Sequence, residues 1–204
     1  MAFTPDDNHL FCSLAGGTLQ FWDIHSGRLE RSIPEEIELM TTRPIYSFNP
    51  IRSCELVYAT TKYPAIPTAD STFGPGTVQV LHWLSSKTRI VASLRCKSFD
   101  RIAFNADGSI MAILMTLNYE RVRTCIKFWR TTDWRAELTL YFPHGELGNF
   151  VFTHLTIVSE MVFHPSAEER LFVVLSNYFG VRMFRYTIDM DDQFSIVSDS
   201  RSSI

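Results

Sequence analysis

Phe3-Thr4-Pro5-Asp6, the apolar run Leu10-Phe11-Cys12-Ser13-Leu14, the turn Ala15-Gly16-Gly17 and the segment Thr18-Leu19-Gln20-Phe21-Trp22-Asp23 form the stretch on which the remaining chain is patterned. After Trp22-Asp23 come a turn at His25-Ser26-Gly27 and a last alternating run from Arg28 to Ile33. Leu19, Phe21 and Ile24 set against Gln20 and Asp23 give near-alternation, the period of a strand with one buried face. The Gly16-Gly17 pair supplies the positive φ that a tight hairpin needs. The stretch therefore predicts one small antiparallel sheet. Such a sheet cannot bury its own apolar faces, so it needs neighbours of the same kind.

Those neighbours recur along the chain. Phe-led entries stand at Phe3-Thr4-Pro5, Phe48-Asn49-Pro50, Phe104-Asn105-Ala106-Asp107-Gly108 and Phe163-His164-Pro165, each followed by an apolar run and then an aromatic strand. Trp22, Trp83, Trp129 and Phe184 are expected at matching places, 19, 35, 25 and 21 residues after the leading Phe. An insertion of roughly 14 residues in the second unit brings it into line with a repeat of about 40–45. Four copies follow, bounded near 1–33, 43–95, 99–141 and 158–198.

Taken together, Phe3-Thr4-Pro5-Asp6, Leu10 to Ser13, Gly17-Thr18, Trp22-Asp23 and Ser26-Gly27 resemble the second part of a WD-repeat blade. No Gly-His pair opens any unit in the usual position. Trp129-Arg130 and Phe184-Arg185 stand where the Trp-Asp ending would be. The resemblance implies an all-β fold, a partial or small β-propeller of about four degenerate WD-repeat blades over 1–188, followed by an acidic, Ser-rich tail at 189–204. It also implies a non-catalytic protein–protein interaction scaffold that presents propeller loops within a larger complex. Two specialised forms of the family are not supported: no Phe-Arg-Arg-Gly run marks phosphoinositide binding, and Trp22-Asp23-Ile24-His25 is not the Trp-Asp-x-Arg of cullin-ligase receptors.

Propellers close with about 4–8 blades, seven being the commonest count within the family resembled here. Four units leave such a ring short, with exposed strand edges near Phe3 and Val181. The expectation is a fragment of a longer protein, a ring completed by a protein partner or a second copy of the chain, or a strained small ring, in that order.

Composition narrows the partners. With 46 % hydrophobic and 13 % aromatic residues the 204-residue chain has ample material for a core. A net charge of −3 argues against broad nucleic-acid or anionic-membrane binding. No apolar run approaches the ~20 residues of a membrane span, and Asp6 and Asp7 sit where a signal peptide would carry positive charge, so an intracellular protein, cytoplasmic or nuclear, is expected. Cys12, Cys54, Cys96 and Cys125 contain no C-x-x-C pair and read as buried free thiols. Cys12 is expected within a strand, Cys54 before one and Cys96 after one.

Two loops stand out as contact candidates. Tyr63–Gly76 holds three prolines and is expected to be irregular; Leu117–Arg123 is a shorter insertion at the same place in the third unit, so both should emerge on one face. Tyr63, Ile66, Asp70, Phe73, Tyr119, Arg121 and Arg123 are the expected partner-binding residues, the alternative being tolerated insertions with no partner. Walker, Rossmann, zincin and nucleophile-elbow motifs are absent. His144, Glu146 and His154 could form the pocket of a small hydrolase, the rival reading, though no nucleophile accompanies them. A truncated propeller with no activity of its own is the other alternative. No cofactor or metal is expected. Trp129-Arg130 and Trp134-Arg135 could stack a cation or base, but such pairs are more often core aromatics beside a surface arginine.

Overall fold

The computed structural model describes residues 1–14, 17–34, 44–61, 74–96, 98–118, 123–141, 157–165, 167–177, 180–189 and 195–199. Every regular element among them is a strand. The first sheet contains β1 (Ala2–Phe3), β2 (His9–Leu14), β3 (Thr18–Asp23) and β4 (Leu29–Pro34). The second contains β5 (Ile45–Asn49), β6 (Arg52–Thr61), β7 (Gly74–His82) and β8 (Lys87–Cys96). The third contains β9 (Ser98–Phe104), β10 (Ile110–Asn118), β11 (Arg123–Arg130) and β12 (Arg135–Tyr141), and the fourth β13 (Ile157–His164), β14 (Ala167–Asn177), β15 (Gly180–Asp189) and β16 (Ser195–Asp199). Within each sheet the strands are antiparallel and lie in chain order, so each is a four-stranded meander.

Turn chemistry repeats with the sheets. Between third and fourth strands the chain closes Asp23 with Arg28, His82 with Lys87 and Arg130 with Arg135, and the residue before each closure has positive φ: Gly27 at 66°, Ser86 at 55° and Trp134 at 58°. Between first and second strands, Thr4, Asn49 and Asn105 are buried, and their side-chain oxygens accept the N–H of His9 (3.0 Å), Ile51 (3.1 Å) and Ile110 (2.8 Å). A buried polar side chain is tolerated only when its bonds are made, and each of these also closes the turn that follows it. The middle residue of the Phe-led motif therefore carries its structural meaning. Gly108, at φ 66°, follows in one of these turns; a Cβ there would overlap Asn49 Oδ1, while its carbonyl accepts Asn49 Nδ2 at 3.2 Å and Thr131 Oγ1 at 2.6 Å.

The sheets pack face to face in chain order. Phe11, Leu19 and Phe21 of the first meet Leu56, Tyr58, Leu81 and Trp83 of the second, with the Phe21 and Trp83 rings stacked at 4.5 Å and 8°. Val57, Ala59, Val78 and Val80, on the other face of the second, meet Met111, Ile113, Met115 and Trp129 of the third. Ala112, Leu114, Ile126 and Phe128 then meet Met161, Leu171, Val173 and Tyr186 of the fourth. The first strands β5, β9 and β13 run beside one another as the inner edge of the series. Sheets covering one another in sequence around shared inner strands make a propeller arc of four blades, as the sequence predicts.

The register corrects several expectations. Phe3, Phe48, Phe104 and Phe163 pair with Leu10, Leu56, Met111 and Leu171, which pair in turn with Trp22, Leu81, Trp129 and Tyr186. Leu81 and Tyr186, not Trp83 and Phe184, are thus the counterparts of Trp22 and Trp129. Trp83 lies two residues later and Phe184 two earlier, because turn and hairpin lengths differ between units. Gly74, Pro75 and Gly76, expected in an irregular loop, belong to β7. Pro75 pairs with Arg95 beyond Thr61, the last β6 residue to pair with β7, where among the described residues the strand has a neighbour on one side and a missing N–H costs little. Leu117 and Asn118 extend β10, and Arg123 begins β11 opposite Asn118, so the third-unit insertion is narrower than expected. Cys54 lies inside β6 and Cys96 closes β8. All four thiols are free, but Cys12 and Cys54 are half-buried rather than buried. β16 pairs with β15 as the outer strand of the fourth sheet, so residues 195–199, expected in the tail, are sheet.

Candidate interaction surface

Cross-strand partners share a face of their sheet, so the register tells which residues of the first sheet point away from the second. One row is Phe3, Leu10, Trp22 and Leu29; Cys12, Gln20 and Ser32 form the next, and Leu14, Thr18 and Pro34 the last. In the other three sheets the counterparts of Leu10 and Trp22 look toward the preceding sheet and are buried: Leu56 and Leu81 at 0 % and 1 % exposure, Met111 and Trp129 at 0 % and 1 %, Leu171 and Tyr186 at 0 % and 4 %. In the first sheet Leu10 and Trp22 are half-buried, and Phe3, Leu14 and Leu29 are 61 %, 44 % and 43 % exposed. Among the described residues no sheet covers them. The indole of Trp22 donates to Gln20 Oε1 at 3.2 Å, which fixes the ring on this face. The arrangement can bury apolar area against another sheet.

Beside this face, the ends of β2, β3 and β4 bring together His9, Asp23 and Glu30, whose ligand-type atoms lie within 4.8 Å of one another. Sequence spacing concealed the group, because β4 carries an irregularity opposite Phe21 and Trp22 that sets Glu30 toward His9. His9 Nε2 contacts Glu30 Oε2 at 2.5 Å, and the ring meets Trp83 edge-on at 4.9 Å. Asp23 Oδ1 accepts the Ser26 N–H at 2.6 Å; the Ser26 side chain, then its backbone N–H, hold this carboxyl below the usual range. His9 Nδ1 is buried without a partner. Such a donor set suits a divalent cation of intermediate hardness, yet the ion pair and the turn bond already account for its placement.

Tyr63, Ile66, Asp70, Phe73, Tyr119 and Arg121 lie outside the described residues, as do His144, Glu146 and His154 of the rival pocket. Arg123 is placed by its backbone at the start of β11. The hairpins that carry the expected contact residues join second to third strands in neighbouring sheets of identical order, so their bases leave the same face of the arc. The short turns after the Phe-led motifs leave the opposite face. Trp129 and Trp134 are core, with the Lys127 ammonium 5.6 Å from the Trp129 ring centre, while Arg130 and Arg135 are exposed.

No known family profile and no curated protein matches the sequence. Solved structures do resemble the fold. The chain superposes on dihydro-heme d1 dehydrogenase NirN, in complex with DHE, with a TM-score of 0.57 at 10 % identity, covering 98 % of this chain and 35 % of that one. It is also similar to the Cps50 (Swd1) β-propeller domain of Myceliophteria thermophila (TM-score 0.48, 16 % identity, 84 % of this chain and 48 % of that one) and to the hydrazine synthase of Kuenenia stuttgartiensis (0.45, 9 %, 96 % and 64 %). At such identities the likeness is one of fold. The chain spans 35–64 % of the length of these structures.

Proposed function

We propose that this chain is a non-catalytic, intracellular interaction module of WD-repeat type, whose first sheet is covered by a further β-sheet supplied by a protein partner or a second copy of the chain, and whose hairpins at 62–73 and 119–122 are presented to a partner on one face. One observation carries this reading: Leu10 and Trp22 stand at the register positions that every other sheet buries against its predecessor, yet they are half open, and Phe3, Leu14 and Leu29 around them lie in solvent. Burying apolar area at about 25 cal/mol per Å² would drive such docking, and a rigid seam would hold the hairpins in fixed geometry. The share of NirN that the chain spans is consistent with further blades in the functional assembly.

The test is sedimentation velocity over a concentration series, with the wild type beside a Phe3→Glu/Leu29→Glu double variant. Association by the wild type, lost in a variant whose circular dichroism and melting midpoint are retained, supports the module. A wild type that stays monomeric at every concentration, with the double variant capturing the same proteins from an extract, removes the first sheet as an interaction surface.

A further inference from the structure

The Phe-led turns of the second, third and fourth sheets converge where β5, β9 and β13 hand over to their second strands, and there they line an open pocket of about 300 Å³. Phe48, Phe104 and Phe163 supply its walls, and Pro50, Ala106 and Pro165 its exposed rim. Aspartate, glutamate, lysine and arginine are absent from the lining, to which Ser47 and His164 add a hydroxyl and an imidazole. The Asn105 amide beside it is already committed: its Oδ1 accepts the Ile110 N–H at 2.8 Å and its Nδ2 donates to Ser109 Oγ at 3.0 Å. The two prolines bring no N–H. With no carboxylate, ammonium or guanidinium in the lining, a strongly charged ligand would exchange its hydration for few polar partners.

We propose that this cavity is a docking pocket for one bulky apolar side chain, aromatic above all, presented by a protein partner on the short-turn face. Three observations select that occupant. The volume stands at the lower end of the ~300–1,000 Å³ typical of ligand sites, enough for a single anchor rather than a large cofactor. Uncharged aromatic walls match the anchors that dominate protein interfaces, which fill desolvated pockets. Ile51, next to Pro50 on the rim, is 64 % exposed and offers apolar surface to the chain on either side of the anchor, which a free small molecule would leave unused. The pocket is preformed: Asn49 ties the second sheet's turn to the Gly108 carbonyl of the third at 3.2 Å and accepts the Ile51 N–H at 3.1 Å. This inference rests on reading the chain as an interaction module, but it concerns the face opposite the expected contact hairpins and is separate from the open first sheet.

The probes are N-acetyl-tryptophanamide, N-acetyl-lysinamide and the capped pentapeptide Ala-Ala-Trp-Ala-Ala, titrated against the full chain by ligand-observed NMR. The tryptophan amide should bind saturably in the millimolar range and about tenfold tighter than the lysine amide. Ala106→Trp, which fills the cavity from an exposed turn, should abolish binding; Pro165→Trp serves the same purpose if that variant fails to fold. Ile51→Asp should weaken the pentapeptide and leave the amide unchanged. The Phe3→Glu/Leu29→Glu variant should bind as the wild type does, so failure of the first-sheet surface stays distinct from failure of the pocket. Absence of saturable binding, equal affinity for the lysine amide, or binding that survives both filling substitutions overturns the pocket. A pentapeptide indifferent to Ile51→Asp overturns its assignment to a protein partner.

Discussion

Leu10 and Trp22 in the first sheet and Met111 and Trp129 in the third hold the same register positions, yet the second pair is sealed in a seam and the first is half open to water. The backbone, the neighbouring strands and the residue types are alike. What differs is that, among the described residues, a sheet covers the second pair and none covers the first. An apolar strand in a propeller is thus core or docking surface according to its neighbour, and its own sequence does not say which.

Thiol chemistry should break this comparison most sharply. Cys12 lies on the open face, half-buried, in the row of Gln20 and Ser32; Cys125 lies in the seam between the second and third sheets, 1 % exposed, opposite Met115. Burial pushes the Cys125 thiol up to about 11 and the Cys96 thiol to about 12, so neither supplies thiolate near neutral pH. Iodoacetamide followed by peptide mass spectrometry should modify Cys12 in the native protein, and Cys125 more slowly by several orders of magnitude, at a rate set by opening of the seam. Equal rates would mean that the second and third sheets do not seal one another.

The same contrast explains what the sequence could and could not disclose. Gly17 at φ 79° and the Asp107-Gly108 turn are local chemistry, and the hairpins they predict are present. The four Phe-led starts were legible because each inner strand repeats the same pairing with its neighbour. The equivalence of Trp83 with Trp22 was misread, because the connection from Leu56 to its partner Leu81 is far longer than that from Leu10 to Trp22. Counting residues from the leading Phe cannot fix the length of such an insertion. Nothing in the sequence singles out Thr4, Asn49 and Asn105; only their burial and bonds show them holding the backbone that follows. The meeting of His9, Asp23 and Glu30 depends on an irregularity in β4 that alternation does not encode. The open face was not readable as open, since its pattern is that of a core strand.

Tryptophan truncation gives the next largest effect. Trp129→Ala removes a fully buried ring from the seam and should cost about 3–5 kcal/mol in urea or guanidinium unfolding. Trp22→Ala, at the matching position, gives up a half-exposed ring and its bond to Gln20 and should cost about 1 kcal/mol. Near-equal losses would place Trp22 in a seam as well, and would point to association of the chain with itself under the conditions of the measurement. Repeating Trp22→Ala across protein concentrations sharpens this: a cost that grows with concentration assigns the open face to an interface, whereas a constant small cost leaves it solvent-facing.

The smallest effect should come from Asp100, which tests how dry the inner edge of the arc is. Its carboxylate accepts hydrogen bonds from Ser98 Oγ and Thr116 Oγ1, both at 3.0 Å, but desolvation outweighs them and raises its pKa. A carboxyl whose folded pKa exceeds its unfolded one binds protons more tightly in the native state, so its stabilising contribution is complete below the ordinary carboxylate range and is lost as pH rises through the raised value. Asp100→Asn keeps an acceptor for one hydroxyl, offers an N–H donor to the other, which can turn to accept it, and removes the titration. Melting midpoints of wild type and variant, followed upward from the ordinary carboxylate range to neutrality, should diverge with the variant becoming relatively more stable. Parallel curves would mean that water reaches Asp100. Cys96, whose thiol is raised by burial first and by Asp100 next, should react with iodoacetamide no faster than Cys125.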